Sequence, residues 1–212
     1  MCYGGLVSFL TDFADQAVIL PLGLAVALAL VVLGWRRGAL VWLLTLCATL
    51  AAMLALKILV GVCAANLAAV GLRSPSGHTA AAAMVYGGLV ALLGRAGRSG
   101  FGRVTLIAAA IALLIGLTRI GLGEHTAADV LVGGLTGCAG AVLLVRLAGA
   151  PPAHLHIGRP TWFKLAAIVV AVVILTHGLH LQAEPRIQNF ARLYGWLVPV
   201  CTVQTDLAQA RP

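Results

Sequence analysis

The 212 residues suffice for one domain, with 61% hydrophobic against 9% charged side chains and a mean hydropathy of +1.05. A soluble domain carries about 25% charged residues, so this composition excludes a water-soluble globule and fits a chain embedded in a bilayer. The formal net charge of +8 comes without any basic tract interleaved with aromatics, which excludes a nucleic-acid partner and leaves the cations as topology signals.

Residues 1–16 are mixed in character and read as interfacial. Asp12 and Asp15 flank the first helix N-terminus, where negative charge is favoured. No basic n-region precedes them, so no cleavable signal peptide is expected. Residues 17–34 form the first expected span, closed by Trp35, Arg36 and Arg37 at an interface. Residues 39–57 form the second, with Lys57 at its far end. Residues 58–72 are apolar but interrupted by Gly61, Asn66 and Gly71, and at about fifteen residues they are short for a span. They read as a continuation of the second helix that then turns lateral or re-entrant.

Residues 78–94, 104–118, 125–147 and 162–181 complete about six spans. Gly133, Gly134, Gly137 and Gly140 on the fifth allow close helix contact. Residues 187–200 predict an amphipathic interfacial helix. The whole chain, 1–212, is expected to be one all-α polytopic membrane helix bundle. Cys47 and Cys138 fall in apolar runs and read as small hydrophobes. Cys63 and Cys201 could pair if they share a membrane face.

Charge sets the orientation. The loops after spans one, three and five hold Arg36, Arg37, Arg95, Arg98, Arg103, Arg146, Arg159 and Lys164 and no acid. All six acids, Asp12, Asp15, Glu124, Asp129, Glu184 and Asp206, fall on the other side. The positive-inside rule then puts the N-terminus and residues 57, 73–78 and 119–129 on the outer side. In a bacterium this is the periplasmic or exterior face of the inner membrane.

That outer side gathers Lys57, Arg73, His78, Arg119, His125 and Asp129. An ionisable group within a span costs roughly 2.5 to 3.5 kcal/mol near a helix centre, so this clustering predicts a polar cavity. Ser76, Gly77 and His78 open the third span, where first-turn N–H groups favour an anion and Gly77 permits close approach. His125 and Asp129 stand four residues apart and are expected to share a helix face, the carboxylate fixing the imidazole tautomer. The neighbouring cations suit a phosphate. A metal held by the two histidines and Asp129 is the rival reading, and the same cations oppose it.

The run Pro75-Ser76-Gly77-His78, followed by Thr118-Arg119-x5-His125-x3-Asp129, resembles the second and third signature motifs of the type 2 phosphatidic acid phosphatase / vanadium haloperoxidase superfamily. The resemblance covers residues 57–129. It implies metal-independent hydrolysis of a phosphomonoester or diphosphate, with no cofactor. By that analogy His125 attacks phosphorus and forms a phosphohistidine, Asp129 orients it, and His78 serves as acid and then base. Lys57, Arg119, Ser76 and Gly77 hold the phosphoryl oxygens.

Two positions depart from the pattern. Thr118 stands where the family has Ser. The first motif, Lys-x6-Arg-Pro, reads Ala64-Ala65 when counted from Lys57, so Arg73 is the expected substitute arginine. The implied protein is a membrane lipid phosphatase whose partners are the bilayer and a lipid phosphate. A lipid phosphotransferase using the same phosphohistidine, and an inactive membrane anion-binding protein, are the alternatives.

Overall fold

A computed structural model describes residues 2–93, 101–152, 155, 159–179, 181 and 183–194. Every regular element among them is helical. Helix α1, Cys2–Asp12, turns at residues 13–15 into α2, Gln16–Val32. Asp15 caps α2 by accepting the amide of Ala17 at 2.8 Å, satisfying one of the helix's open donors. Helix α3, Arg36–Val62, is followed by the short α4, Ala64–Leu67, and a 3₁₀ turn at Ala68–Val70. Helix α5, Gly77–Ala82, passes through a π turn at Ala83–Gly87 into α6, Gly88–Leu93. Then come α7, Phe101–Gly121, α8, Ala127–Ala148, α9, Arg159–Thr176, and α10, Ala183–Tyr194.

Among the described residues, four stretches are long and apolar enough to cross a membrane: Gly5–Val32, Arg36–Val62, Gly102–Gly121 and Ala127–Ala148. Gly77–Leu92 and Phe163–Thr176 are shorter apolar helices. Several boundaries differ from expectation. Residues 2–16 are largely helical and join the first apolar stretch. Helix α3 runs past Lys57 to Val62, because residues 58–62 are apolar with no breaker, so Lys57 lies inside the helix. Helix α9 ends at Thr176, short of residue 181, and Gly178 follows it at φ 81°. The amphipathic helix starts at Ala183 rather than 187.

The core is aliphatic and tightly joined. Trp42 is fully buried and its indole donates to the Gly23 carbonyl at 2.9 Å, tying α3 to α2. Helix α8 is the hub and contacts α3, α5, α6 and α7. Its glycines make this possible, since small residues let helix backbones approach where lipid supplies no hydrophobic drive. A Cβ at Gly137 would stand 2.3 Å from the Ala80 carbonyl oxygen, and one at Gly140 would stand 2.3 Å from Thr49 Oγ1. Cys63 is in a disulfide, while Cys47 and Cys138 are free. Cys201 and the loop cations Arg95 and Arg98 lie outside the described residues.

Candidate active site

The two polar stretches meet where α8 begins, and Asp129 joins them. Helix α8 starts at Ala127, and Thr126 is its N-cap in a capping box with Asp129. Asp129 is 1% exposed. Its Oδ1 accepts the amides of Arg73 at 2.9 Å and Ser74 at 2.8 Å, and its Oδ2 accepts the amide of Thr126 at 3.0 Å. Its carbonyl accepts the Ser76 amide at 3.0 Å. The carboxylate and the carbonyl of this one residue thus pin Arg73, Ser74 and Ser76 to the start of α8 while satisfying backbone donors that burial would otherwise orphan.

His125 therefore precedes the helix. Its closeness to Asp129 comes from the turn before the cap and not from a shared helical face. Its Nδ1 lies 3.8 Å from Asp129 Oδ2 and, though buried, has no hydrogen-bond partner among the described residues. Burial first, then the positive charges of Arg119 and Lys57, lower the His125 pKa from 6.5 to about 4, against the opposing charges of Glu184 and Asp129.

Ser76 is the N-cap of α5. It is fully buried, and its hydroxyl takes hydrogen bonds from the Thr79 amide at 3.4 Å and the Thr79 hydroxyl at 2.9 Å. With its own amide bonded to Asp129, Ser76 shapes the start of the helix. The first-turn N–H groups belong to Gly77 and His78. A Cβ at Gly77 would lie 3.5 Å from Lys57 Cε, so the Lys57 chain runs directly past this turn.

Three basic groups arrive from three helices. Lys57 of α3 is buried, donates to Ser74 Oγ at 3.2 Å and pairs with Glu184 of α10. Arg119 of α7 is buried, pairs with Glu124, and leaves Nε without a hydrogen-bond partner among the described residues. His78 of α5 points Nε2 at Asp15 Oδ2, 3.6 Å away. A buried unsatisfied nitrogen is costly and calls for an explanation. Here two such nitrogens sit on neighbouring residues of the Arg-x5-His spacing.

Two cavities share Glu184 as a wall. The larger, about 460 Å³, is lined by His78, Arg119, Asp12, Asp15, Glu124 and Leu181 among others. The smaller, about 250 Å³, is lined by Lys57, Arg73, Ser74, Ile187 and Gln188 among others. Arg73 is exposed and reaches the second cavity beside Lys57. Burial alone would raise the pKa of Glu184. The charge and hydrogen bond of Lys57, with the Ser74 hydroxyl donating at 2.5 Å, outweigh it and hold the carboxyl below its ordinary value.

The sequence placed Lys57, Arg73, Ser76, Gly77, His78, Arg119, His125 and Asp129 at one end of the bundle, and the structure brings them there. It missed Glu184, which counted only as an outer-side charge. Asp15 was read as flanking the first helix; it caps α2, and its second oxygen faces His78. Thr126-x-x-Asp129 is the local signal for a helix starting at residue 127, and the span assigned to 125–147 overlooked it. Thr118 keeps the hydroxyl of its motif position, donating to the Ile115 carbonyl and accepting from Thr11 Oγ1, both at 2.7 Å.

Fold and site together define a bilayer-suited helical bundle with a polar, histidine-bearing pocket at one end, lined by cations and carboxylates. Residues 60–152 match the family model of the PAP2 superfamily. That stretch holds both motifs and the helices that carry them, and the match is consistent with a member of the type 2 phosphatidic acid phosphatase superfamily. Superfamily members are generally phosphatases, so this is a membrane phosphatase-type protein. No curated protein and no solved structure matches the chain.

Proposed function

We propose that the protein is an integral-membrane lipid phosphatase. It hydrolyses a phosphomonoester or diphosphate lipid through a phosphohistidine at His125, on the extracytoplasmic side and without a metal. The observation that carries this reading is the convergence of Lys57, His78 and Arg119, from three helices, on two cavities that share Glu184, with His125 close enough for the charges of Arg119, Lys57 and Glu184 to act on its pKa. Phosphoryl transfer needs little from a protein beyond positioning and charge stabilisation, and these groups supply both.

In this mechanism Lys57, Arg119 and the first-turn amides of Gly77 and His78 hold the phosphoryl oxygens. Arg119 Nε, without a partner among the described residues, is one donor that a phosphoryl oxygen would satisfy. His125 attacks phosphorus while the bond to the leaving oxygen breaks, and His78 gives that oxygen its proton. Neutral His78 then takes a proton from water, whose oxygen attacks phosphorus and releases inorganic phosphate. Asp129 serves mainly through the backbone it clamps, and its charge lies close enough to His125 to balance the positive intermediate. The cations that favour phosphate oppose a divalent metal. The eight-cation loop side faces the cytoplasm by the positive-inside rule, which leaves the site facing the exterior or periplasm. The test is phosphate release from a panel of lipid phosphates by purified protein, with His125→Ala as the blank. No release from any member would defeat the reading.

Two further results follow. Arg73→Ala is expected to lose turnover nearly as badly as Arg119→Ala, about ten- to a hundredfold, as for one charge-assisted contact of roughly 1.5 to 3 kcal/mol. Wild-type turnover in Arg73→Ala would show that it does not replace the missing first-motif arginine. Glu184 occupies Lys57, the cation a substrate phosphate must engage. Glu184→Gln is expected to lower KM severalfold, by removing a competing anion, with kcat changed less. An unchanged or raised KM would mean that Glu184 is not displaced.

A further inference from the structure

The family match begins at residue 60, yet one wall of the larger cavity is built by residues 8–15 at the junction of α1 and α2. That junction is held firmly. Thr11 bonds Thr118 of α7 at 2.7 Å, and the Tyr86 hydroxyl, from the π turn, donates to the Phe13 carbonyl at 2.7 Å. Ala14 is fully buried. These contacts deliver Asp15, itself 6% exposed, to the cavity. Its Oδ1 accepts the amides of Ala17 at 2.8 Å and Leu181 at 3.3 Å, and its Oδ2 faces His78 Nε2 at 3.6 Å. A helix cap needs only one oxygen. The second is directed at the histidine of the Pro-Ser-Gly-His turn from 3.6 Å, longer than a hydrogen bond, as such pairs often are before substrate binds.

We propose that Asp15 is a positioning residue for His78. Its carboxylate holds the Nε2–H, so that Nδ1 exchanges the proton with the leaving oxygen and then with water. Resting on the phosphohistidine reading above, the step balances as follows. Imidazolium His78 gives its Nδ1 proton to the leaving oxygen as the P–O bond breaks and the N–P bond to His125 forms. Neutral Nδ1 then takes a proton from the attacking water as the N–P bond breaks. Asp15 stays ionised throughout, stabilising the imidazolium and fixing the tautomer between the two steps. Leu181, which ties Asp15 to the segment before α10, makes the carboxylate a joint between the N- and C-terminal walls of the cavity.

The test is single-turnover phosphorylation of His125 in the full-length protein, using an alkyl phosphate and nitrophenyl phosphate. An alkoxide needs a proton to leave, whereas nitrophenolate leaves as the anion. Asp15→Asn keeps the helix cap, since Asn caps as well as Asp, but presents an N–H₂ to Nε2 and inverts the tautomer. It is expected to slow transfer from the alkyl phosphate about a hundredfold, the lower range for general-acid catalysis, and from nitrophenyl phosphate only a few-fold. Asp15→Ser, which also keeps a capping oxygen, should behave alike. Neither should add to the loss in His78→Ala. Wild-type rates with the alkyl phosphate, equal losses with both leaving groups, or losses that add to those of His78→Ala would overturn the proposal while leaving the phosphatase reading standing. No transfer by the wild-type protein would overturn both.

Discussion

Replacing His125 with alanine is expected to cut phosphate release by about four to six orders of magnitude, the scale on which a covalent nucleophile is lost, without unfolding the protein. The physical basis is the separation of nucleophile from framework. The clamp on residues 73–76 is made by Asp129 and Thr126, and His125 Nδ1 has no hydrogen-bond partner among the described residues to be orphaned by truncation. Lys57, Arg119 and the start of α5 remain to bind phosphate. Trapping of labelled phosphoprotein should fail in the variant while its thermal midpoint stays within a few degrees of wild type. More than a few per cent residual turnover would remove His125 from the covalent role.

The same residue sets a pH expectation. Its pKa is lowered from 6.5 to about 4, so the imidazole is neutral, with its lone pair available, well into the acid range. The free-enzyme profile of kcat/KM should show the nucleophile's inflection near pH 4, apart from the second ionisation of a monoester substrate near about pH 6. Linkage has a definite sign. Between 6.5 and about 4 the unfolded chain binds a proton at this site that the folded chain does not. Its contribution to stability is therefore present above 6.5 and is lost as pH falls towards about 4.

What the sequence made legible were the features with local signatures. Polar residues in an apolar chain stand out, so the site cluster could be read from residues 57, 73–78 and 119–129 alone. Apolar runs located the helices, though not their ends: α3 runs on to Val62 and α9 stops at Thr176. The rest depends on through-space geometry. Glu184 meets Lys57 across 127 positions, and Asp15 meets His78 across a turn held by Thr11 and Phe13; no periodicity links either pair. Helix ends were misplaced where a competing signal won. The apolar residues after Lys57 carried α3 onward, and Thr126 began α8 two residues after His125. The i,i+4 spacing of His125 and Asp129 thus predicted their proximity through a helix that does not yet exist at that point.

Gly133→Ala should be among the most damaging changes to activity that touch no ionisable group. A Cβ there would stand 2.3 Å from the Ser76 carbonyl oxygen and 3.1 Å from its carbon, both backbone atoms that no rotamer change can move aside. Ordinary contact requires about 1 Å more, so α5 and α8 must separate. Asp129, one turn earlier on the same helix, still pins residues 73–76 by their amides. The separation must then be absorbed at Gly77 and His78, shifting them relative to Lys57 and His125. Overpacking of this kind costs about 1 to 3 kcal/mol, and a misplacement of about 1 Å can cost about a hundredfold in rate. Activity should therefore fall further than stability does. Gly102→Ala is the control, because a Cβ there meets nothing within 4 Å, and it should be neutral or slightly stabilising on a helix. Thermal unfolding in detergent together with phosphate release, measured for both variants, separates the two effects. Wild-type turnover in Gly133→Ala would mean that the close seat of α8 on the Pro-Ser-Gly-His turn is not what holds His78 in place.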